Sequence, residues 1–434
     1  MVNGELLMVN EMEGWKKEKF KTLIQHKSGY TWSKEQETKI PEPNTVRVLT
    51  VTNIQKELDL TSELYLKNVK DIDKEKKAVS KEWSIAVSSN GNRKRIGNAV
   101  YIKENSEYLF ASFLTAFKPK EDADILPEYF FRWLNSHQIQ ERITAVSEGT
   151  TGLGNLDIRF LRNMEIEYPE NPKEQTAIAT ILSKVDEAIE GVRQSIKTAE
   201  KLKKALMQNL LTGKLKPDGT WRTEDEFYED EKFGKVPVGW EVARVKDVCI
   251  NLDNRRKPIK AIDRQKMKGK YRYYGAAGII DYVNDYIFDG KYILFGEDGE
   301  NLISRKRAQA FIVEGKFWVN NHAHILETLT EKAEIHFICY QLENKNYESI
   351  VYGSAQPKIN KSDLNKIKLF IPKDIKEQIN ISEKLINTDN LLQQKQTKIQ
   401  TLQRLKKSLM QNLLTGKIRV NPSMINDKLL MVKE

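Results

Sequence analysis

Two stretches of the chain carry an apolar residue every three or four positions and nothing that breaks a helix. In the first, Leu182, Val185, Ile189, Val192, Ile196 and Ala199 alternate three and four apart, and Leu202, Leu206 and Leu210 continue the stripe after a small slip of phase. A stripe this narrow predicts the seam of a coiled coil. Pro172 sits near the start, no proline interrupts residues 173–216, and Gly213 supplies a C-terminal stop. About forty residues rising roughly 1.5 Å each predict a rod of ~60 Å. The second stretch places Leu385, Leu392, Ile399, Leu402, Leu405, Leu409 and Leu413 correspondingly. Thr388 and Lys395 stand where the first stretch has Val185 and Val192, so this seam is weaker in its middle.

The correspondence is a repeat. Leu202–Lys214 and Leu405–Lys417 differ at one of thirteen positions, Ala205 against Ser408. The offset of 203 (405 − 202) holds without a gap back to Glu174-Gln175 and Glu377-Gln378. Such self-similarity fixes the architecture before any local reading does, and here it predicts two half-molecules in tandem.

A mixed segment precedes each helix. In the first half, Trp15–Leu23, Val46–Thr52, Trp83–Val87, Ala99–Ile102 and Tyr108–Phe117 read as strands. Pro127 opens an amphipathic helix with Phe130, Trp133 and Leu134 on one face. A glycine-rich loop, Gly149–Gly154, leads to a strand alternating Met164, Ile166 and Tyr168. The second half repeats this plan, with an aromatic helix near Phe337–Leu342, a Gly-Ser loop at Gly353 and an alternating strand Ile367, Leu369, Ile371.

The expected class is α+β: two globular mixed α/β domains in tandem, each followed by a long helix, the helices pairing as an antiparallel coiled coil. The expected boundaries are 1–170 for the first domain, 171–216 for the central helix and 217–235 for a polar, acidic linker. They continue as 236–372 for the second domain, 373–418 for the C-terminal helix and 419–434 for a tail. The pairing seams are Leu182, Ile189, Ile196, Leu202 and Leu206 against Leu385, Leu392, Ile399, Leu405 and Leu409. Antiparallel pairing buries both seams, sets the domains at opposite ends and gives one chain pseudo-two-fold symmetry. A matching DNA target has two half-sites whose spacing the rod sets.

Charge sharpens this picture. Among 434 residues the 71 Lys and Arg exceed the 61 Asp and Glu by ten, for a pI near 9.1. Such an excess favours a polyanion as partner. Two cysteines, Cys249 and Cys339, fit a reduced, cytoplasmic compartment and no disulfide framework. No apolar run approaches the length of a membrane span.

Catalytic patterns are missing from the sequence. There is no Gly-x-x-x-x-Gly-Lys-Ser/Thr phosphate loop, and no Asn/Asp-Pro-Pro-aromatic motif of an amino-methyltransferase. His322 and His324 lack further ligands for a metal, and Asp218 with Asp230-x-Lys232 resembles a nuclease pattern only by chance. Binding signals are stronger. Arg255, Arg256, Lys257, Lys270 and Arg272 are interleaved with Tyr273 and Tyr274, and Arg305, Arg307, Asn320, Asn321 and Lys358 follow. The first half offers Lys16, Lys19, Lys21, Arg93, Lys94 and Arg95. Cations for phosphates beside aromatic and amide groups for base edges make a DNA-binding face. For any single one of these residues, a solvated charged surface is the competing reading.

The chain resembles the specificity (S) subunits of type I restriction-modification enzymes. The motifs that carry the resemblance are the paired Leu-Met-Gln-Asn-Leu-Leu-Thr-Gly-Lys helix ends, the Glu-Gln helix starts and Pro237-Val-Gly-Trp240. They also include Tyr273-Tyr-Gly-Ala-Ala-Gly-Ile-Ile-Asp281, Phe317-Trp-Val-Asn-Asn-His-Ala-His-Ile325 and Gly353-Ser-Ala-Gln-Pro-Lys-Ile359. The first half departs from the pattern, since Gly149–Gly154 lacks the proline and lysine of the Gly353 loop. The resemblance implies two target-recognition domains, each reading half of a split double-stranded DNA sequence, with the helices as spacer. It implies two methyltransferase (M) subunits that carry S-adenosylmethionine and methylate adenine N6. Restriction (R) subunits using ATP and Mg would join them, and this chain would hold no cofactor, metal or catalytic residue. Two other readings stay open: a coiled-coil scaffold protein, and the recognition subunit of a type II system with a separate methyltransferase.

Overall fold

The computed structural model describes residues 13–147, 152–297, 301–350 and 358–421. The first half of the Gly149–Gly154 loop, the Gly353 loop up to Lys358, and most of the tail lie outside them. The chain forms two compact units, Met1–Arg193 with Lys398–Glu434, and Gln194–Thr397. Each unit therefore owns the first part of one long helix and the last part of the other. Those helices run Pro172–Leu210 and Ile375–Leu413. No helix among the described residues is long and apolar enough to cross a membrane.

In the first unit, β1 (Trp15–Lys19) leads into a helical turn, Phe20–Leu23, where the sequence suggested continuous strand. An extended strand would aim Phe20 and Leu23 at opposite faces, whereas the turn buries both. β2 (Ile24–Ser28), β3 (Ser84–Val87), β4 (Ala99–Tyr101) and β5 (Leu114–Pro119) form a sheet in the order β2-β5-β3-β4. Helix Pro127–Leu134 lays Phe130 and Trp133 on it, with Phe20 5.7 Å from the Phe130 ring. β6 (Glu165–Pro169) pairs antiparallel with β1, Trp15 opposite Pro169, and hands the chain to the first long helix.

The second unit begins with the last part of that helix. The residues read as a linker instead carry a hairpin, β7 (Phe227–Asp230) and β8 (Gly234–Pro237), whose Val236 joins the core. β9 (Trp240–Arg244) follows as the counterpart of β1. A six-stranded sheet is built from β10 (Cys249–Asn251), β11 (Lys268–Gly275), β12 (Gly278–Val283), β13 (Phe288–Gly296), β14 (Ala310–Val319) and β15 (Ala323–Thr328). Its order is β10-β15-β13-β14-β11-β12. Within the β13–β14 pair, Gly290 faces Gly315, with φ of 140° and 86°. Backbone there lies where a Cβ is strained, so both strands need glycine at this point. β16 (Lys368–Pro372) pairs with β9, Trp240 opposite Pro372, repeating the β1–β6 junction.

The Glu-Gln helix starts explain themselves at these junctions. Gln175 accepts from the Leu126 amide at 2.7 Å and donates to the Asp124 and Pro169 carbonyls at 2.8 Å. Gln378 accepts from Glu334 at 2.8 Å and donates to Lys332 and Pro372 at 3.1 and 2.8 Å. A buried amide with this many bonds welds each helix to its sheet. Glu174 takes a two-pronged bond from Arg419, at 2.8 Å for each oxygen, and Glu377 takes Arg222. Each arginine also lies over the tryptophan that opens its unit, Arg419 on Trp15 and Arg222 on Trp240. These two arginines do not correspond in the repeat, since 419 − 203 is Lys216.

The helices run antiparallel within each unit. In the first, Asp186 meets Lys406 at 2.5 Å, and in the second, Asp389 meets Lys203 at 2.5 Å, the same pair seen from the other half of the repeat. Leu182, Ile189 and Leu385 are buried, and Ile196, Leu206, Leu392, Ile399 and Leu409 are half-buried. Leu202 and Leu405 correct the predicted seam, being 50% and 46% exposed. After Ala199 and Leu402 the inward stripe passes through Lys203 and Lys406, whose stems cross the contact so that their ammonium groups reach the aspartates.

Candidate nucleic-acid interface

The second unit gathers much of the predicted chemistry around one buried carboxylate that the sequence did not single out, Glu297. It directly follows β13, next to the β14–β15 turn, where its amide donates to the His322 carbonyl at 2.9 Å. Arg256 binds Glu297 at 2.7 Å and also donates to the carbonyls of Asn321 and Ala323, each at 3.1 Å. Lys358 reaches the other oxygen of Glu297 at 2.8 Å. Burial pushes the Glu297 carboxyl up, but Lys358 and Arg256 outweigh it and hold the group below the usual carboxylate range.

Beneath this pair lies Asp253. It is 2.5 Å from His324 Nδ1 and accepts the Ile325 amide at 3.1 Å, while His324 Nε2 lies 2.8 Å from the Ile359 carbonyl. Burial raises the Asp253 carboxyl, but His324, Arg256 and the amide bring it below its ordinary value. Both ring nitrogens of His324 are engaged, which leaves none for a metal. Among the described residues no group of three or more His, Cys, Asp or Glu could hold one. The network ties residue 253, the end of β13, the start of β15 and residues 358–359 into one fixed base.

The exposed cations sit on the segment that leads into β11 and on β11 itself. Lys257 and Lys270 are exposed, and Arg255 is exposed with its guanidinium over Phe288 at 4.9 Å. Arg272 stacks on Tyr274 and donates to the Glu314 carbonyl.

Three predicted contact residues are corrected to supports. Tyr273 is fully buried; its hydroxyl accepts the Ile259 amide at 3.0 Å and so holds the Lys257–Lys260 segment down. Tyr274 is a core ring packed on Phe317. Asn320 is buried, its side-chain oxygen accepting the His322 amide at 2.8 Å to shape the turn that exposes Asn321. β11 is covered on both faces, so alternation leaves neither tyrosine outside. Arg305 stands elsewhere, paired with Glu343 at 3.2 Å and stacked on Tyr347, and Arg307 is exposed beside it on a loop closed by Asn301.

In the first unit the predicted cations divide. Arg93 and Lys94 are exposed, and Arg93 packs against Gly154, where Gly154–Asn155 pairs with Ser89–Asn90. Arg95 turns inward to the Val51 and Ile54 carbonyls. Lys16 pairs with Asp124 at 2.6 Å beside the helix junction, and Lys19 and Lys21 are exposed near it. The charge run at Lys16–Lys21 thus lies apart from Arg93 in sequence and in its packing partners.

Comparison with known proteins fits this geometry. The family model for the type I restriction modification DNA specificity domain matches twice, over residues 12–201 and 237–404. The chain is similar to the type I restriction enzyme MjaIX specificity subunit of Methanocaldococcus jannaschii, 28% identical over 68% of this chain and 70% of that one. It is 24% identical to the putative MjaX specificity subunit of the same organism, over 94% of both chains. The fold matches a crystal structure of the type I restriction-modification S subunit from M. genitalium with a TM-score of 0.59 at 17% identity, covering 94% of this chain and 98% of the other. With one matched domain in each half, each continuing into a long helix, the chain belongs to the type I restriction-modification DNA specificity family, whose members supply DNA sequence recognition to these systems.

Proposed function

We propose that the two units each read one half of a two-part DNA sequence, and that two methyltransferase subunits docked on this chain methylate adenine N6 within it. The supporting observation is the duplication itself: two recognition folds joined to the helices by the same buried glutamine and the same aspartate–lysine pair. S-adenosylmethionine belongs to the methyltransferase subunits in this reading. Mg and ATP belong to the restriction subunits that cleave DNA, and the assembly works in the cytoplasm. Lysines and arginines provide affinity that falls with salt, while a few side chains per unit discriminate bases. The methyltransferase must take its adenine out of the stack, so the recognition chain holds the duplex while that happens.

The helices belong to both units, so their length should set the gap between half-sites. Four residues inserted beside Gly191, where an added side chain would meet open space, make a stutter that carries the apolar stripe on with a small slip of phase. The insertion is expected to lengthen the unspecified spacer of the methylated motif while leaving both half-sites unchanged. An unaltered spacer in the insertion variant would contradict this role for the helices.

A further inference from the structure

The β11–β12 hairpin ends in an apolar tip. Ala276 and Ala277 make the turn, and Ile279 and Ile280 behind it are 45% and 52% exposed. β12 is the edge of its sheet, so among the described residues no further strand pairs with it. Tyr274 faces Ile279 and Tyr273 faces Asp281, which leaves Ile280 as the extra residue of a bulge. A bulge re-aims a side chain that regular pairing would direct elsewhere. Ile280 folds over Gly275, where a Cβ would stand 3.2 Å from its Cγ2 and 3.4 Å from Asn320 Nδ2. The tip is also seated: a Cβ on Gly296 would stand 2.8 Å from the Ala276 carbonyl. Ile280 is thus held over Gly275 next to Asn320, and the turn before it lies against Gly296, the residue before Glu297.

Their surroundings identify what they meet. Residues 254–274, which lead into the hairpin, contain nine Lys or Arg and one Asp. Such a segment matches a phosphate backbone, but an isoleucine has nothing to offer a phosphate or a polar base edge. The apolar group on the major-groove edge of DNA is the C5-methyl of thymine, and that groove admits a two-stranded ribbon. We propose that Ile279 and Ile280 read a thymine methyl in the half-site bound by the second unit. This rests on the recognition function above and names one of its specificity contacts.

The test uses the full chain assembled with its methyltransferase subunits and duplexes carrying the motif it methylates. Each thymine of each half-site is replaced in turn by uracil, which removes the methyl alone. Every half-site offers a position, because each methylated adenine faces a thymine. In one half-site, uracil should weaken binding about fourfold, the value of burying one methyl-sized group. In an Ile279→Ser/Ile280→Ser variant the thymine and uracil duplexes should bind alike. Melting of this variant should stay within a few degrees of the parent, since both residues are about half exposed. Uracil without effect at every position, or a loss of equal size in the variant, overturns the contact. A parent complex that binds motif and scrambled duplexes equally overturns the recognition reading itself, and this contact with it.

Discussion

Asp186 and Asp389 occupy the same place in the repeat, yet removing their charge should cost very different amounts. Asp186 holds Lys406 at 2.5 Å on one oxygen and Arg132 on the other. The Arg132 side chain is only 7% exposed, and its remaining partners are Ser183 at 2.8 Å and Glu128 at 3.6 Å. Asp186→Asn therefore leaves a buried guanidinium with one distant counter-charge. Stripping the partner from a buried pair costs about 3–5 kcal/mol, and Glu128 reduces this to about 2–3 kcal/mol. Asp389 instead holds Lys203 and accepts the Tyr340 hydroxyl at 2.8 Å. Lys203 and Asp389 are 28% and 36% exposed, and an asparagine oxygen can still accept from Tyr340, so Asp389→Asn should cost about 1 kcal/mol. Hydrogen exchange read by mass spectrometry separates the two units. Protection over residues 172–193 should fall about 30- to 150-fold in Asp186→Asn, and protection over 375–397 about fivefold in Asp389→Asn. Equal losses, or a larger loss for Asp389→Asn, would refute the reasoning that the buried Arg132 sets the difference.

Glu334 caps helix Ile335–Asn344 and accepts Ser382 of the long helix at 2.6 Å. Burial raises its carboxyl, but His336, Ser382 and the His336 and Phe337 amides bring it from 4.5 to about 2. A depressed carboxylate stabilises fully above its unfolded pKa and loses that contribution as pH falls through the folded one. The stability gap between the protein and Glu334→Gln should be about 3 kcal/mol at pH 7 and roughly half that at pH 3. A gap in denaturant unfolding that stays constant with pH would contradict the assignment. Leu202→Ser and Leu405→Ser should stay within about 0.5 kcal/mol of the parent in thermal melts. Leu210→Ala and Leu413→Ala, both buried in their unit's core, should each cost about 2–5 kcal/mol.

The sequence carried the repeat, both long helices and the strands that launch them, because each rests on periodicity or on identity between the halves. It also pointed to several residues that the fold brings together, Arg256, Asn321 and Lys358. What it concealed depends on distance. Lys203 reads as solvent-facing and Leu202 as seam until Asp389 is found opposite Lys203. Tyr273 and Tyr274 resemble a contact pair because alternation normally leaves one of two neighbours outside, and β11 is covered on both faces. The acidic run at Glu224–Glu231 hid a hairpin whose anchor, Val236, lies past it. Glu297 and Asp253 were invisible as a hub because their partners come from residues 256, 324 and 358. The isoleucines were quoted only as part of a motif, and their exposure follows from a bulge and a sheet edge that no pattern of apolar residues announces.

A map of N6-methyladenine across the genome of a host expressing this chain with its methyltransferase, set against the methyltransferase alone, tests the central claim most directly. A split motif that appears only when this chain is present is the predicted result, and it would give both half-sites at once. The same two proteins co-purifying while no new motif appears would contradict DNA recognition by this chain and leave a helical scaffold in its place.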